Sequence, residues 1–369
     1  MLIFKKKDPS QLQYNSFSQQ TLIKLRKDKV AIFAFVIIFL FTLIALLGYL
    51  ITPDKTPYAN QQYLELATKK PGFVATFLRV YDKTQYHKPS PLHTMAYGRE
   101  NPYSSYPIYS HTIKGDSLYA ECYTGDKPNN GLILKFPIKT THYQITTQKY
   151  LLGTDRYGRD MLSELMIGSR VSLSVGLIAI FISLVIGITL GAIAGYFGGW
   201  VDNIIMWFIN VVWSIPTILL VIAITFALGK GFWQVFVAVG LTMWVGVARC
   251  VRGQILSLKE KEFIQAAKAL GLTRRRIIIH HLLPNVIAPV TVITASNFAT
   301  AILQEAGLSF LGIGVQPPMP SWGTMIKENY GYIILDSAYM AILPGVAIML
   351  LVLAFILLGS SLRKAMDVH

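Results

Sequence analysis

EFIQAAKALGLTRRRIIIHHLLPN, residues 262–285, decides the fold, because it is a polar, helix-forming stretch set between two long apolar runs. Apolar and small side chains recur at helical spacing along its first part, and they are Phe263, Ala266, Ala267 and Leu270. Gly271 follows the last of them, where glycine ends a helix without a steric penalty. The pattern predicts a short amphipathic helix that fits a groove on a partner protein.

A second helix is expected after this glycine, with Thr273 as its cap. It begins with Arg274, Arg275 and Arg276, and three cations in a first turn oppose the helix dipole. Lipid phosphate or an acidic surface on a partner would compensate, and the two can coexist. Pro284 suits the first turn of the apolar run that follows. The predicted order is therefore helix, glycine break, helix, turn and membrane span.

The composition indicates a membrane protein, because 53% of the residues are hydrophobic and only 14% are charged, with a mean hydropathy of +0.46. About 20 apolar residues are needed to cross roughly 30 Å of hydrocarbon. Six uncharged stretches come close to that length: 30–51, 171–197, 204–228, 232–248, 286–303 and 338–362. The sequence predicts an all-α polytopic membrane protein with six transmembrane helices.

Basic residues predict the orientation of these spans. Segment 1–29 holds seven Lys and Arg against two Asp and Glu, and the part of region 249–285 up to His281 holds eight against two. With tail 363–369, both segments are expected in the cytoplasm by the positive-inside rule. The first span is interpreted as a retained anchor, not a cleaved signal. Cys122 and Cys250 then lie on opposite sides, so no disulfide between them is expected.

The hydrophilic stretch after the first span is predicted to be external. Segment 52–170 holds fifteen basic and ten acidic residues, and long loops cross membranes largely regardless of charge. Turn residues at 128–131 lead into the apolar 132–136, so 52–150 is predicted to be a small β-leaning domain; a poorly ordered loop is the alternative. Segment 151–170 is expected to contain a helix over 156–168, capped by Asp155, on the outer membrane surface. The net charge of +15 is explained by basic segments that would meet anionic lipid or a cytoplasmic partner, so a nucleic-acid partner is not inferred.

Several kinds of chemistry are missing from the sequence. It holds no phosphate-binding loop of the G-x-x-x-x-G-K-[ST] type and none of the common zinc-protease, serine-hydrolase or zinc-finger motifs. The adjacent pair His280 and His281 lacks a third metal ligand. The span cores hold no Asp, Glu, Arg or His; the candidates at span ends are Arg170, Asp202, Arg249 and Glu305, which ordinary interfacial anchoring also explains. Energy is therefore expected from another polypeptide.

The motif Gln265-Ala266-Ala267, then Gly271, then Leu283-Pro284 resembles the signature of ABC importer permeases. Two further stretches, LLGTDRYGRDMLSELMIGSRVSLSVG (151–176) and EAGLSFLGIGVQPPMPSWGTMI (305–326), resemble pore-flanking segments of the C-type permease subunit of dipeptide and oligopeptide importers. The resemblance covers 25–51 and 151–365 and fails over most of 52–150. Gln265 replaces the family's usual acid.

The resemblance implies the type I ABC importer permease fold in a bacterial inner membrane, with both termini cytoplasmic. It implies four kinds of partner: a second homologous permease, two cytoplasmic ATPases, an external substrate-binding protein and the lipid bilayer. ATP and Mg would bind to the ATPases, and this chain would bind no cofactor or metal. Residues 262–271 would be the coupling helix. The implied cargo is a short peptide, with nickel or a peptide antibiotic as alternatives.

The resemblance and the residue pattern together give candidates for the outer mouth or gate of the pore. In the first pore-flanking stretch these are Asp155, Arg156, Arg159 and Asp160; in the second they are Glu305 and Trp322. Segment 306–337 is rich in Gly and Pro and is expected to border the outer mouth. Glu305 is a candidate gate or structural ion pair.

Small residues and a proline predict how the spans pack. Gly187, Gly191 and Gly195 form a stripe that permits close helix approach, and Pro216 is expected to bend the third span. Two functions of other classes stay open at this point: an ion-coupled transporter or channel, and a non-transporting scaffold whose external domain binds a ligand.

Overall fold

The computed structural model describes residues 17–81, 89–125, 128–139, 141–229 and 231–366. Within them, a body of long helices carries a five-stranded sheet. The predicted class, a helical membrane protein with a small β-containing insertion, is confirmed. The predicted terminal segments 1–29 and 363–369 lie partly outside the described residues.

Five helical runs of the described part are long and apolar enough to cross a membrane, and a bent helix pair makes up to six. The helices are α1 (Phe17–Lys27), α2 (Lys29–Leu47), α3 (Pro91–Tyr97), α4 (Met161–Phe197), α5 (Gly199–Ser214), α6 (Thr217–Leu228), α7 (Phe232–Lys259), α8 (Glu262–Ala269), α9 (Arg274–Arg276), α10 (Leu283–Phe310), α11 (Trp322–Asn329) and α12 (Tyr339–Met366). The five candidate runs are Lys29–Leu50, which contains α2, then α4, α7, Arg274–Phe310 and α12.

The third predicted span, 204–228, is broken where a bend was expected. Helices α5 and α6 meet at an angle of 94°, and Pro216 occupies the N-cap of α6. A proline disfavours helical backbone at the residue before it, and Ile215 is extended at φ −90° and ψ 129°. The pair therefore forms either a broken span or a re-entrant segment.

Helix α4 replaces the separate surface helix predicted over 156–168. It runs without interruption from Met161 to Phe197, and its 37 residues extend about 55 Å at 1.5 Å per residue. That length exceeds the roughly 30 Å of hydrocarbon in a bilayer. One or both ends of α4 therefore project beyond the membrane. Its N-cap is Asp160, whose carboxylate accepts a hydrogen bond from the Ser163 amide, so Asp155 does not cap it.

No turn separates the arginines from the fifth span. The chain is helical from Arg274 to Phe310, and a π-helical segment, Ile277–Leu282, joins α9 to α10. The Leu283 amide donates to the Ile278 carbonyl, five residues back. Because Pro284 has no amide hydrogen to offer the preceding turn, a wider turn accommodates it without ending the helix. Pro284 therefore lies inside a continuous helical run.

The insertion folds as an antiparallel sheet in the order β4-β3-β2-β1-β5. Its strands are β1 (Phe73–Tyr81), β2 (Tyr103–Lys114), β3 (Ser117–Cys122), β4 (Ile133–Pro137) and β5 (His142–Tyr150). Adjacent residues Phe77 and Leu78 on the central strand are both buried, in separate clusters on opposite faces. Each face of the sheet thus carries a buried apolar cluster. The strand expected over 132–136 is β4.

The sheet is connected to the helical body through the turn before α4. The Thr154 hydroxyl donates to the Leu66 carbonyl at 2.5 Å, and the Tyr339 hydroxyl at the start of α12 donates to the Lys69 carbonyl at 2.7 Å. A Cβ on Gly158 would lie 1.8 Å from the Tyr63 carbonyl oxygen. Only glycine permits this backbone approach. The base of the insertion is therefore held by hydrogen bonds from the turn before α4 and from the start of α12.

The glycine stripe of α4 lies against α7. A Cβ on Gly187 would be 2.6 Å from the Val247 Cβ, and one on Gly191 would be 2.5 Å from the Ala248 carbonyl oxygen. At Gly195 the nearest atom, the Arg252 carbonyl oxygen, is 3.0 Å away. The three glycines therefore let the two backbones pack closely, with least room at Gly191.

Replacing Gly191 with alanine is expected to destabilise the chain by about 1–3 kcal/mol, because the added methyl forces α4 and α7 apart. Thermal unfolding of the full chain in detergent measures this loss. Gly253→Ala is the matched control: it is also a glycine inside a helix, but apart from its chain neighbours and its own helix backbone no described atom lies within 4 Å of its added Cβ. An unchanged unfolding temperature for Gly191→Ala would contradict the packing assignment.

Candidate functional site

Helix α8 is the candidate functional site, and its C-terminus is closed by two hydrogen bonds. The Gly271 amide donates to the Lys268 carbonyl at 3.0 Å, and the Leu272 amide donates to the Ala267 carbonyl at 3.2 Å. This pair is a Schellman motif, and it requires a left-handed residue at its centre. Gly271 provides that conformation with φ +74°. The chain thus turns sharply between α8 and the following helical run.

The predicted apolar face of α8 is divided between two surroundings. Ala267 is buried together with Ile264, and both pack in a cluster with Ile255 of α7 and Ile277. In contrast, Phe263 is 46% exposed, Leu270 is 81% exposed, and Ala266 is also exposed. The prediction that one face of α8 presents Phe263, Ala266, Ala267 and Leu270 together is therefore wrong for Ala267. Ala267 belongs to the chain's own core, while the other three form an exposed stripe.

Ile264 is a residue of this site that the pattern did not identify. Apolar or small side chains occupy both 263–264 and 266–267, so helical spacing alone fits two faces equally well. Burial decides between them: Ile264 is fully buried and holds α8 against α7. Gln265 is exposed on another side of the helix, where its amide donates to the Lys259 carbonyl at 3.2 Å.

The arginines after α8 are exposed. In the described part of the chain, Arg275 and Arg276 take part in no ion pair or side-chain hydrogen bond, and the Arg274 guanidinium lies 5.9 Å from the centre of the Phe197 ring. Thr273 occupies the N-cap position, but its side chain makes no capping hydrogen bond. Thr273 is therefore the N-cap of α9 by its position and extended backbone, and its side chain does not cap the helix.

A buried cluster of charges lies at the opposite end of the helical body. The Arg159 guanidinium contacts Asp155 at 2.6 Å, Glu164 at 2.8 Å and Glu328 at 2.6 Å. Asp155, Arg159 and Glu164 are buried. One cation thus joins three carboxylates from the 155–159 turn, α4 and α11. Sequence reasoning found Asp155 and Arg159 but missed Glu164 and Glu328, since Glu328 lies far along the chain and only the fold brings it near.

Arg156 and Asp160 have separate surroundings within this region. The Arg156 guanidinium stacks over the Tyr157 ring at 4.5 Å, and Arg156 lines a cavity of about 200 Å³ together with Lys327. Asp160 caps α4. Burial raises the pKa of the Asp160 carboxyl, which hydrogen bonds from Ser163 partly offset. Of the four candidates in 155–160, Asp155 and Arg159 therefore share the charge cluster.

Glu305 and Trp322 were expected at the outer mouth of a pore, and both are fully buried. The Trp322 indole donates to the Leu165 carbonyl at 2.9 Å, and its ring lies 5.4 Å from that of Phe41. Trp322 is thus a packing residue within this chain. Around Glu305 the described residues place hydroxyls and no cation: the Ser309 hydroxyl donates to it at 2.7 Å. The structural ion pair predicted for Glu305 is absent from the described residues.

Asp54 gives the region between the sheet and the helices a pH dependence. Burial raises the pKa of the Asp54 carboxyl, although hydrogen bonds from Thr56 and Gln61 lower it. A raised pKa means that the folded chain holds this proton more tightly, so its contribution to stability is largest in acid and falls as pH rises. We expect the difference in stability between Asp54→Asn and the wild type to grow in favour of the variant from about pH 4 to pH 7. Thermal unfolding at each pH measures it, and parallel curves would contradict it.

No group of three or more His, Cys, Asp or Glu residues suited to a metal lies among the described residues.

Comparison with protein families gives two matches. Residues 187–368 match the binding-protein-dependent transport system inner membrane component. Residues 16–71 match the N-terminal TM domain of oligopeptide transport permease C. Neither match includes 72–186, which contains the whole sheet.

Individual relatives each match a little over half of the chain. The dipeptide transport system permease protein DppC of Alkalihalophilus pseudofirmus is 42% identical over 59% of this chain and 72% of that protein. The glutathione transport system permease protein GsiD of Pectobacterium atrosepticum is 41% identical over 58% and 71%. The oligopeptide transport system permease protein OppC of Haemophilus influenzae is 41% identical over 59% and 70%. A solved structure of the MetNI methionine ABC transporter, inward facing, has 21% identity and a TM-score of 0.45 over 56% of this chain and 97% of that chain.

Proposed function

The chain belongs to the family of binding-protein-dependent transport system inner membrane components, and from this we propose that it is the permease subunit of an ATP-driven importer of short peptides. The three relatives above are named for dipeptide, glutathione and oligopeptide transport. Glutathione is itself a short peptide, so the three names share one chemical class of cargo. This common class supports peptide as the cargo here.

The exposed stripe of α8 is the observation that carries the proposal. A helix of eight residues is too short to be stable alone, yet α8 is held on the body by Ile264 and Ala267. It presents Phe263 and Leu270 outward. Such a stripe suits a groove on a cytoplasmic ATPase. ATP and Mg would bind to two such ATPase subunits, and closure of these subunits would push α8 and the helices joined to it.

The opposite end of the body is proposed to face the external substrate-binding protein. There the Arg159 cluster ties segment 151–170 to α11, which lies within segment 306–337. We assign to the cluster the role of keeping the outer mouth in shape. Arg156, which lines the cavity of about 200 Å³, is the candidate nearest to a moving cargo, whereas Glu305 is fully buried in the chain. In this arrangement the basic segments 1–29, 249–285 and 363–369 are cytoplasmic, and a second homologous permease completes the pore.

Co-expression and reconstitution test the proposal. The chain, extracted in mild detergent with its candidate partners, is expected to co-purify with a second permease and two ATPases, and proteoliposomes of the complex are expected to take up radiolabelled peptide only with ATP and binding protein. Isolation of the chain without any ATPase, or ligand binding by the complex without uptake, would contradict it. The second result would favour the scaffold hypothesis.

An ion-coupled transporter is the alternative that Glu305 favours, because a buried acid without a cationic partner among the described residues is a common feature of ion pathways. Reconstitution of this chain alone separates the two. Flux driven by an ion gradient in the absence of ATP, abolished by Glu305→Gln, would support the alternative. We expect no such flux.

A further inference from the structure

An apolar groove of about 440 Å³ runs along the helical body at the same end as α8. It lies between α4, α7 and the run Arg274–Phe310, and its lining includes Leu184, Ile188, Ile279, Leu283, Ile287 and Thr294. The Thr294 hydroxyl donates to the Val290 carbonyl of its own helix. The groove therefore offers hydrocarbon contact to a ligand and little hydrogen bonding.

Two arginines near this groove, Arg275 and Arg276, form no ion pair with any residue that the structure describes. Arg275 and Arg276 precede the lining residue Ile279 by four and three residues, so they lie within about one helical turn of the groove. Both arginines are exposed. Arg274 lies over Phe197, at the end of α4, the helix that also supplies Leu184 and Ile188. Positive charge thus lies within about one helical turn of the apolar groove.

We propose that this groove binds an acyl chain of an anionic phospholipid whose phosphate is held by Arg275 and Arg276. A guanidinium offers paired donors that match phosphate oxygens, and such charges near an anionic leaflet attract it. The lining belongs to helical runs long and apolar enough to cross a membrane, where lipid is the available apolar ligand. An acidic protein surface would match the arginines but would leave the groove uncovered.

The location gives this lipid a consequence. The groove touches Ile279, inside the π-helical segment that joins the α8 region to α10. A chain lodged there contacts the connection through which movement of α8 would reach the membrane. The lipid site goes beyond the proposed import function, since it depends on neither cargo nor ATPase. Its failure would leave that function standing.

The test measures phospholipid binding to the full chain in detergent by native mass spectrometry. Phosphatidylglycerol is expected to bind more tightly than phosphatidylcholine with the same acyl chains. The double variant Arg275→Gln/Arg276→Gln is expected to lower the phosphatidylglycerol affinity by about thirty-fold, since two cations are removed. The control Lys24→Gln/Lys27→Gln removes two exposed cations of α1 and is expected to bind as the wild type does.

A second variant tests the groove itself. Ile287→Trp adds bulk at an exposed wall residue and is expected to weaken phosphatidylglycerol at least tenfold while the unfolding temperature stays unchanged. Three results would overturn the proposal: equal affinity for the two lipids, unchanged affinity in the double arginine variant, or unchanged affinity in Ile287→Trp. If the double arginine variant instead loses only its association with co-expressed ATPase subunits, the arginines serve an acidic protein surface.

Discussion

Replacing Leu270 with aspartate is expected to lower ATP-driven uptake by at least about tenfold while the chain stays folded in the membrane. Leu270 is 81% exposed, so its own chain gains little from it. If the stripe of α8 enters a partner's groove, the change removes the burial of one leucine, roughly 1.5–3 kcal/mol, and 1.4 kcal/mol corresponds to about a tenfold change in affinity. Peptide uptake into proteoliposomes measures the loss.

The control for this prediction is Lys268→Gln, which changes an exposed residue on another side of the same helix and is expected to keep uptake. Ala267→Arg is a poorer test of docking, because Ala267 is buried against the chain's own helices. An arginine there would detach α8 itself. Unchanged uptake in both Leu270→Asp and Phe263→Asp, with the ATPases still bound, would rule out the stripe as the coupling surface.

Features that depend on neighbouring residues could be predicted from the sequence. The span expected over 30–51 corresponds to α2. A single apolar run in hydrocarbon can satisfy all its backbone hydrogen bonds internally only as a helix. Gly271 ends α8 as its conformational freedom suggests. Pro216 marks a break, although its angle of 94° was not predictable. A proline determines that a helix is interrupted, whereas the packing around it determines the angle.

Features that depend on distant residues could not be predicted. Glu328 reaches Arg159 only through the fold, and nothing local to either residue indicates a partner. Ile264 and Phe263 are equally apolar neighbours, and only the position of α7 and Ile277 decides which one is buried. The π-helical connection before Pro284 is similar: the proline suggested a helix start, while the extra residue in the turn lets the helix continue.

Replacing Arg159 with glutamine is expected to lower the free energy of unfolding by about 3–5 kcal/mol, the usual cost of removing one partner from a buried ion pair. The change leaves Asp155, Glu164 and Glu328 without the cation that joins them. Arg159→Lys is expected to recover little, because one ammonium cannot supply the same fork of donors. Thermal and denaturant unfolding of the full chain in detergent measure both. Lys139→Gln, which breaks the exposed pair with Asp116, is the control and is expected to unfold as the wild type does.

A double-mutant cycle then shows whether the loss comes from the cluster. Three carboxylates share one guanidinium, so Glu164→Gln alone removes an excess negative charge and is expected to cost far less than Arg159→Gln. Combined with Arg159→Gln, it should restore part of the lost stability, with a coupling of about 0.5–3 kcal/mol between the two positions. Strictly additive losses would mean that Arg159 acts by packing and not by charge. Peptide uptake by the double variant gives a further readout. The cluster joins Glu328 of α11 to Asp155 in the turn before α4, so a variant that regains stability but takes up no peptide would show that the cluster shapes the outer mouth.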